Sequence, residues 1–416
     1  MSEANPSPPA TGPLKGLKAI ELGSTVAGPF CGRLLADFGC DVIKVEQAEG
    51  DAVRSLSHRH KGRSLYNASI QRGKRIISLN LRTDKGRELV KQLCQSADIV
   101  IENFRPGTLE KWGLGYDDLS ADNPGLVMVR VSGFGQTGPY SGRAGYGIVC
   151  EAVSGLREIT GDPDRPPPRA GTPLTDYIAG VYAAFGTTMA IIERQRTGRG
   201  QVVDTALYEG AFTFMESHIP TFQQLGIVAE RAGSILPGNA PNSVYPTRDG
   251  GYILIAAAAD AVFRRLADVI GRSDMKTDAR FAAAVPRAEN MEACDEAVTA
   301  WTTQHDMTDI EQKLEDAGVP ASRIFTVSDI FSDPHYKARD MLVEVEDDVL
   351  GPVTVTGIVP KLSDTPGSIR WTGRDTGADT TSVLTDELGL DPSEIQSLAE
   401  DGIIAGPNIS KAGADN

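Results

Sequence analysis

Cysteine, histidine and uninterrupted apolar runs are all scarce in this sequence of 416 residues. The five cysteines are odd in number, widely spaced and without a Cys-x-x-Cys pair, which favours reduced, buried thiols over a disulfide framework. They are Cys31, Cys40, Cys94, Cys150 and Cys294. His58 and His60 stand close together, but no further ligands follow at metal-site spacing, so no metal is predicted. No apolar run reaches the roughly 18 residues that indicate a membrane span, so no membrane partner is expected.

Basic residues are also in the minority. The chain has 41 Lys and Arg against 56 Asp and Glu, a formal net charge of −15, which argues against nucleic acid as the main partner. Between Arg54 and Lys91, however, eleven basic residues stand with only two acidic ones. A basic island in an acidic chain suggests a place where a polyphosphate ligand binds. A solvated helix face with its loop would give the same pattern.

The two ends of the sequence are polar. Residues 1–13 are rich in Pro, Ser and Ala and lack the charged-then-apolar order of a signal peptide. We therefore predict a disordered arm and a cytoplasmic protein. Residues 406–416 are predicted to form a mobile tail.

Short apolar strands alternate with helices in the first half of the chain. The predicted elements are a strand, helix and strand at 17–22, 30–38 and 42–45, a helix and strand at 85–96 and 99–101, and a strand at 126–131. This alternation is typical of an α/β fold, with a parallel sheet covered on both faces. From about residue 220 the composition changes, and 226–330 is predicted to form a smaller α+β domain.

The first strand–turn–helix invites comparison with a dinucleotide-binding site. Glu46 ends the second strand, where a ribose-binding acid would stand. The turn runs from Gly23 to Gly28, but Thr25 occupies the position of the second fingerprint glycine, and no Lys-Ser/Thr pair follows for a P-loop. A nicotinamide dehydrogenase is therefore disfavoured. Backbone N–H groups at the start of the helix can still bind a phosphate or an amide.

Seven sequence runs, in chain order, carry a family resemblance. They are Gly16-Leu17-Lys18, Ala27-Gly28-Pro29, Val42–Glu46, Gly50-Asp51, Lys74-Arg75, Glu102–Gly107 and Thr197–Gln201. Over about residues 14–400 the chain resembles the family III CoA-transferases, a group that includes formyl-CoA, carnitine-CoA and succinyl-CoA-dependent transferases. The related α-methylacyl-CoA racemases share the fold.

The resemblance implies an architecture and an assembly. A Rossmann-like large domain would be built from both ends of the chain, with the smaller α+β domain between them. The boundaries are then 14–210 for the large domain, 211–225 for a linker, 226–330 for the small domain and 331–405 for a return segment. An interlocked homodimer is implied, with acyl-CoA and carboxylic acids as substrates and no permanently bound cofactor.

The family's site residues match positions of this sequence. The nucleophilic aspartate of the family matches Asp176. Positions that contact CoA match Val26, Ala27, Leu79, Arg82, Asn103, Phe104, Arg105, Lys111 and Tyr146. Within the basic island, Lys74 and Arg75 join Arg82 as the natural cations for the CoA phosphates. Arg54 is expected to replace an arginine of the formyl-type enzymes, because Gln47 stands at its position.

Asp176 also has a structural interpretation. It precedes a predicted apolar helix at 177–196, where an aspartate is typical of an N-cap. The two roles are compatible, because helix N–H groups would keep the carboxylate ionised and oriented. As a nucleophile, an aspartate with its ordinary pKa of about 3.9 needs no general base.

Departures from the family patterns reduce the number of reactions and substrates that fit this chain. The racemase pattern has a catalytic histidine where this chain has 144–147, and no histidine occurs between His60 and His218. Gly147 stands where many transferases have an acidic residue, and 237–244 lacks the formyl-type glycine run, which disfavours formate and oxalate. We expect succinyl-CoA as donor and a small dicarboxylic or hydroxy acid as acceptor. An acyl-CoA racemase and a non-catalytic CoA-ester binding protein remain alternatives.

Overall fold

The computed structural model describes residues 11–407 and residue 409. Most of the predicted arm at 1–13 and of the predicted tail at 406–416 therefore lies outside the described residues. The chain divides into two units. The first contains the chain up to Leu156, Arg169–Ser217 and the chain from Tyr336 onward, and the second contains Arg157–Pro168 and His218–His335.

The strands of the described residues are β1 (Lys18–Glu21), β2 (Asp41–Glu46), β3 (Arg59–His60), β4 (Arg63–Ser64), β5 (Arg75–Ser78), β6 (Ile99–Glu102), β7 (Val127–Ser132), β8 (Val202–Ala206), β9 (Asn242–Pro246), β10 (Tyr252–Ala256), β11 (Ala321–Arg323), β12 (Leu342–Asp347) and β13 (Gly351–Thr356).

The α-helices of the same residues are α1 (Ala27–Asp37), α2 (Leu65–Ile70), α3 (Asp84–Gln95), α4 (Thr108–Lys111), α5 (Tyr116–Ser120), α6 (Gly147–Val153), α7 (Leu174–Thr197), α8 (Leu207–Phe212), α9 (His218–Leu225), α10 (Asp260–Val269), α11 (Ala284–Glu289), α12 (Met291–Thr302), α13 (Met307–Asp316), α14 (Val327–Ser332), α15 (Pro334–Ala338), α16 (Thr380–Leu388) and α17 (Pro392–Glu400). None of these helices is long and apolar enough to cross a membrane.

A six-stranded parallel sheet forms the centre of the first unit, in the order β5-β2-β1-β6-β7-β8. The strands β6 and β7 are short and buried along their whole length, as parallel strands covered on both faces must be. Ile20 of β1 pairs with Ile43 of β2 and with Val100 of β6. The α/β prediction is confirmed. The strand order reverses between β1 and β6, and at such a switch point the loops after the strands leave a crevice for ligands.

The two faces of this sheet carry separate cores because side chains alternate along each strand. Ile20 and Val100 point to the face covered by α3, α16 and α17. Ala19 and Ile99 point to the face covered by α1 and α7. The C-terminal helices α16 and α17 thus return to the first unit and complete its core.

The second unit is built around the antiparallel sheet β11-β10-β9. Its core combines strand residues with the apolar faces of α10, α12 and α13. The boundaries differ from the predicted ones. Residues 157–168 were predicted in the large domain and 218–225 in a linker, but both segments group with the second unit.

Candidate active site

A buried network of charged side chains holds the turn after β1. The ammonium nitrogen of Lys44 lies 3.2 Å from Glu21 Oε1 and 2.8 Å from Asp51 Oδ2, and it also donates to the carbonyl oxygen of Gly23. Asp51 Oδ1 accepts the backbone N–H of Thr25 at 2.9 Å. Burial alone would raise the pKa of Asp51, but the Lys44 ammonium and these hydrogen bonds hold it below its ordinary value. Thr25 keeps a φ of 69° in this turn. The network therefore stabilises a left-handed residue where a fingerprint glycine would stand.

Asn103 joins the loops after β1 and β6 at the switch point. Its Oδ1 accepts the backbone N–H of Ser24 at 2.7 Å, and its Nδ2 donates to the carbonyl oxygen of Ser24 at 2.8 Å. The residues predicted to contact CoA on these loops therefore share one edge of the sheet. They are Val26 and Ala27 at the start of α1, and Asn103, Phe104 and Arg105 after β6.

The cations and apolar residues predicted for CoA separate into exposed and buried groups. Arg82, Arg105 and Lys111 are exposed, and none of them has an ion-pair partner among the described residues. Phe104 is half-buried and packs edge-to-face on Trp112, with the ring centres 5.2 Å apart. Leu79 is fully buried and its backbone N–H donates to the carbonyl oxygen of Glu46 at 2.9 Å, so it is not exposed to a ligand in this structure.

Lys74 and Arg75 require a correction, because both are engaged with carboxylates of the fold. The Lys74 ammonium is fully buried, 2.7 Å from Glu21 Oε2, and burial lowers its pKa to about 8. Arg75 lies 2.8 Å from Glu387 Oε1 and also contacts Asp41. Neither is free to bind a phosphate in this arrangement, contrary to the prediction from the basic island.

Arg54 is occupied in a similar way. Its Nε lies 2.8 Å from Glu46 Oε2 and its Nη2 lies 2.9 Å from Glu46 Oε1, a bidentate pair. Glu46, which stood at the position of a ribose-binding acid, is therefore the partner of this arginine. A CoA contact of Arg54 would have to compete with that pair.

Asp176 is the third residue of α7 and not its N-cap. The helix begins at Leu174, Pro173 occupies the cap position, and no side chain caps the end. The interpretation of Asp176 as an N-cap is therefore wrong. Burial raises the pKa of Asp176 from 3.8 to about 6, only partly opposed by its hydrogen bond with a backbone N–H. Helix N–H groups were expected to keep this carboxylate ionised, but burial has the larger effect on its pKa. The carboxylate is still ionised about ten to one at pH 7.

The backbone of Gly147 lies directly against this carboxylate. A Cβ placed on Gly147 would fall 2.0 Å from Asp176 Oδ2 and 3.1 Å from Thr175 Oγ1. Thr175 Oγ1 donates to the carbonyl oxygen of Gly147 at 2.9 Å, which ties the starts of α6 and α7 together. The close approach of the Asp176 carboxylate thus explains why residue 147 is a glycine. With the carboxylate in this position, an acidic side chain would have no room at 147.

A cavity of about 260 Å³ opens onto the Asp176 carboxylate. Of the predicted site residues, it brings together Val26, Tyr146 and Asp176. The described residues that line it are Thr25, Val26, Leu56, Ser57, Tyr66, Tyr146, Gly147, Ile148, Glu151, Arg169, Pro173, Thr175 and Asp176. Tyr146 is 63% exposed. The candidate site therefore consists of the Asp176 carboxylate on the wall of an open cavity, beside the turn after β1.

Among the polar residues of this cavity, Tyr66, Glu151 and Arg169 were not predicted from the sequence. The hydroxyl of Tyr66 lies 2.8 Å from that of Tyr177, next to Asp176 in the chain. Glu151 follows Gly147 by one turn of α6, and Arg169 precedes Asp176 by seven residues. The spacing of Glu151 from Gly147 was a usable signal. Nothing in the local pattern marks Tyr66 or Arg169.

Comparisons with known proteins agree with this site and fold. The model of CoA-transferase family III matches residues 14–380. The chain is 47% identical over 394 residues to the succinyl-CoA–D-citramalate CoA-transferase of Chloroflexus aurantiacus, covering 94% of this chain and 98% of that one. It is 38% identical over 397 residues to the succinyl-CoA–L-malate CoA-transferase beta subunit of the same organism, covering 94% and 98%.

A solved structure shows the same fold. The crystal structure of a CaiB/BaiF family protein from Brucella suis superposes with a TM-score of 0.81 and 35% identity, over 91% of this chain and 100% of that chain. The protein is thus an α/β enzyme of the CoA-transferase type. It belongs to CoA-transferase family III, as the sequence resemblance indicated.

Proposed function

We propose that this enzyme transfers CoA from succinyl-CoA to a small dicarboxylic or hydroxy acid through covalent intermediates on Asp176. The observation that carries the proposal is the position of this carboxylate. It is half-buried at the end of a cavity and held against Gly147, and no cation of the described residues neutralises it. A carboxylate placed in this way is suited to attack rather than to ion pairing.

The proposed reaction uses Asp176 twice. Its carboxylate oxygen attacks the thioester carbon of succinyl-CoA, the C–S bond breaks, and a mixed anhydride and CoA thiolate form. The thiolate attacks the aspartyl carbonyl carbon, which gives an aspartyl-CoA thioester and releases succinate. The acceptor carboxylate then repeats these steps in reverse. No proton is gained or lost overall, so no general acid or base is required.

The electrostatics of Asp176 support this role. Its raised pKa makes the oxygen a stronger base, and hence a better nucleophile, than an aspartate in water. The ionised form still dominates at neutral pH. The same burial reduces access of water, which would otherwise hydrolyse the anhydride.

CoA is proposed to lie along the loops after β1 and β6. Backbone N–H groups near Val26 and Ala27, at the start of α1, would face the ligand. Arg82, Arg105 and Lys111 replace Lys74 and Arg75 as the cations for its phosphates, because their side chains are exposed and unpaired among the described residues. CoA thioesters act as substrates in this scheme, with no permanently bound cofactor.

The identity of the acids is proposed from the relatives. Both Chloroflexus enzymes are named for succinyl-CoA as donor. Their named acceptors, D-citramalate and L-malate, are hydroxy acids with two carboxylates. A small hydroxylated dicarboxylic acid is therefore the proposed acceptor here.

An interlocked homodimer and a cytoplasmic location belong to the same proposal. Helix α7 exposes Val181, Phe185, Met189 and Ile192 along one side, although its other side is buried against the sheet. Such an apolar face favours a second chain as its cover. The five cysteines are buried free thiols, which suits a reducing compartment. Light scattering of the purified protein tests the dimer.

Covalent trapping tests the proposed mechanism. Wild-type protein and the variant Asp176→Asn are incubated with succinyl-CoA and treated with borohydride or hydroxylamine, and their peptides are analysed by mass spectrometry. We expect modification of the Asp176 peptide in wild type only, and its loss when acceptor acid is added. The variant should keep its affinity for CoA. Modification of the variant, or none in either protein across a panel of acyl-CoAs, would refute the proposal.

A further inference from the structure

The charges that line the Asp176 cavity are unevenly distributed. Two of its residues, Asp176 and Glu151, carry carboxylates, and the Glu151 side chain is almost fully buried. Arg169 is the one cationic side chain among the described residues that line it. A dicarboxylate that presents one end to Asp176 brings a second negative charge into a cavity that already holds two. That second charge needs a partner.

Arg169 is available for such a charge. Its Nε donates to the carbonyl oxygen of Ala170 at 3.1 Å, and no carboxylate of the described residues lies within ion-pair distance of its guanidinium. The planar guanidinium retains N–H donors on its two terminal nitrogens, in the geometry that binds a carboxylate through two hydrogen bonds. Arg169 therefore differs from Arg54, whose guanidinium donates two hydrogen bonds to the Glu46 carboxylate.

The segment that carries Arg169 is tied to the wall of the cavity. The backbone N–H of Ala170 donates to Glu151 Oε1 at 3.4 Å. Glu151 belongs to α6, the helix that begins at Gly147 against the nucleophile. The buried Glu151 carboxylate thus connects the segment that carries Arg169 to helix α6, whose first residue, Gly147, lies against Asp176.

We propose that Arg169 determines specificity by binding the distal carboxylate of the dicarboxylic acyl group while the other end reacts at Asp176. This inference rests on the proposed function and names the residue that selects its substrate class. Glu151 acts as a positioning residue for the Arg169 segment. Monocarboxylic acids lack the second charge and gain nothing from the guanidinium.

A matched pair of acids tests the assignment. Succinate and its monomethyl ester have the same backbone and differ by one negative charge at the distal end. Wild type, Arg169→Gln and Arg169→Lys are assayed with both as acceptors of CoA, and both are measured as competitive inhibitors, so that a slow acceptor still yields a ratio. Arg165→Gln is the control, because Arg165 is an exposed arginine whose side chain does not line the cavity.

The expected result is selective. Arg169→Gln should lower kcat/KM for succinate by about tenfold to a hundredfold, the range for losing hydrogen bonds to a charged group. The value for the monomethyl ester should change by less than about threefold, a minor effect on this scale. The kcat/KM of Arg169→Lys for succinate should lie between those of wild type and Arg169→Gln, because lysine keeps the positive charge but cannot form two parallel hydrogen bonds to a carboxylate. Arg165→Gln should match wild type.

Two results would overturn the assignment. One is a succinate-to-ester ratio that stays constant in Arg169→Gln. The other is an equal loss with both acids together with weaker binding of free CoA, which would mean that Arg169 contacts CoA. Trapping at Asp176 is scored separately in each variant. A failure of the transfer mechanism is thereby distinguished from a failure of this specificity assignment.

Discussion

The variant Gly147→Ala tests the geometry of the proposed nucleophile, Asp176, with a single methyl group. Its Cβ would lie 2.0 Å from Asp176 Oδ2, whereas non-bonded contacts settle at about 3.5 Å. The carboxylate oxygen must therefore move by about 1.5 Å, or the starts of α6 and α7 must separate. The oxygen moves more easily, because the Asp176 side chain borders an open cavity.

The two consequences of this movement differ in size. A displacement of about 1 Å at a reacting group can reduce turnover by roughly a hundredfold, so kcat for transfer should fall at least that far. Folding should lose only about 1–3 kcal/mol, the usual range for one extra methyl group in a packed site. Affinity for free CoA should hardly change, because the atoms nearest the new methyl belong to Asp176 and Thr175 and not to the loops after β1 and β6.

The assay compares this variant with Gly142→Ala. Gly142 lies five residues earlier, and a Cβ there meets nothing within 4 Å. Steady-state transfer, borohydride trapping at Asp176 and CoA titration are measured for both proteins. We expect loss of turnover and of trapping in Gly147→Ala and wild-type behaviour in Gly142→Ala. The reasoning is refuted if Gly147→Ala retains more than about a tenth of wild-type kcat, a barrier change under about 1.4 kcal/mol.

Three further predictions concern titration and the buried charges. Because burial raises the pKa of Asp176 to about 6, kcat/KM should fall about tenfold per pH unit below that value and level off above pH 7; a flat profile down to about pH 4.5 contradicts this. A raised pKa in the folded state means that the stability which the Asp176 carboxyl contributes is complete below pH 3.8 and is lost as pH rises through about 6. Urea unfolding of Asp176→Asn should therefore show a gain of about 1–3 kcal/mol over wild type at pH 8 that disappears near pH 4. Lys74→Met removes one of the two cations of Glu21 and should cost about 3 kcal/mol of stability, while the folded fraction keeps its CoA affinity; weaker CoA binding at full stability would return Lys74 to the phosphate site.

The local patterns of the sequence were sufficient for the central sheet and insufficient for the site. Buried parallel strands are recognisable in a sequence as short apolar runs. Such runs predicted β1, β2, β6 and β7. The turn after β1 was harder. Its residue with left-handed backbone conformation is Thr25, whose N–H is bound by Asp51, 26 positions further along the chain. A glycine fingerprint is a local pattern and does not include such a long-range hydrogen bond.

The basic island shows why a charge count along the sequence does not predict which basic residues are free to bind a ligand. Counted along the chain, residues 54–91 carry a strong positive excess. In the folded protein, Arg63 meets Asp347, Asp348 and Asp375, and Arg72 meets Asp37. Four of the compensating carboxylates, Asp347, Asp348, Asp375 and Glu387, come from the last quarter of the sequence, which returns to this unit. Much of the island therefore joins the two ends of the chain, and a smaller part is left for a polyphosphate.

In the proposed role of Asp176 as nucleophile, its burial balances two requirements. A shift of its pKa from 3.8 to about 6 corresponds to about 3 kcal/mol of destabilisation of the ionised form. A smaller shift would leave a weakly basic, well-hydrated oxygen that attacks thioesters slowly. A shift beyond 7 would leave most molecules protonated at neutral pH and unable to attack. The structure sets the value by partial burial with no cation ion-paired to Asp176 among the described residues; the one arginine that lines the cavity, Arg169, is not its partner.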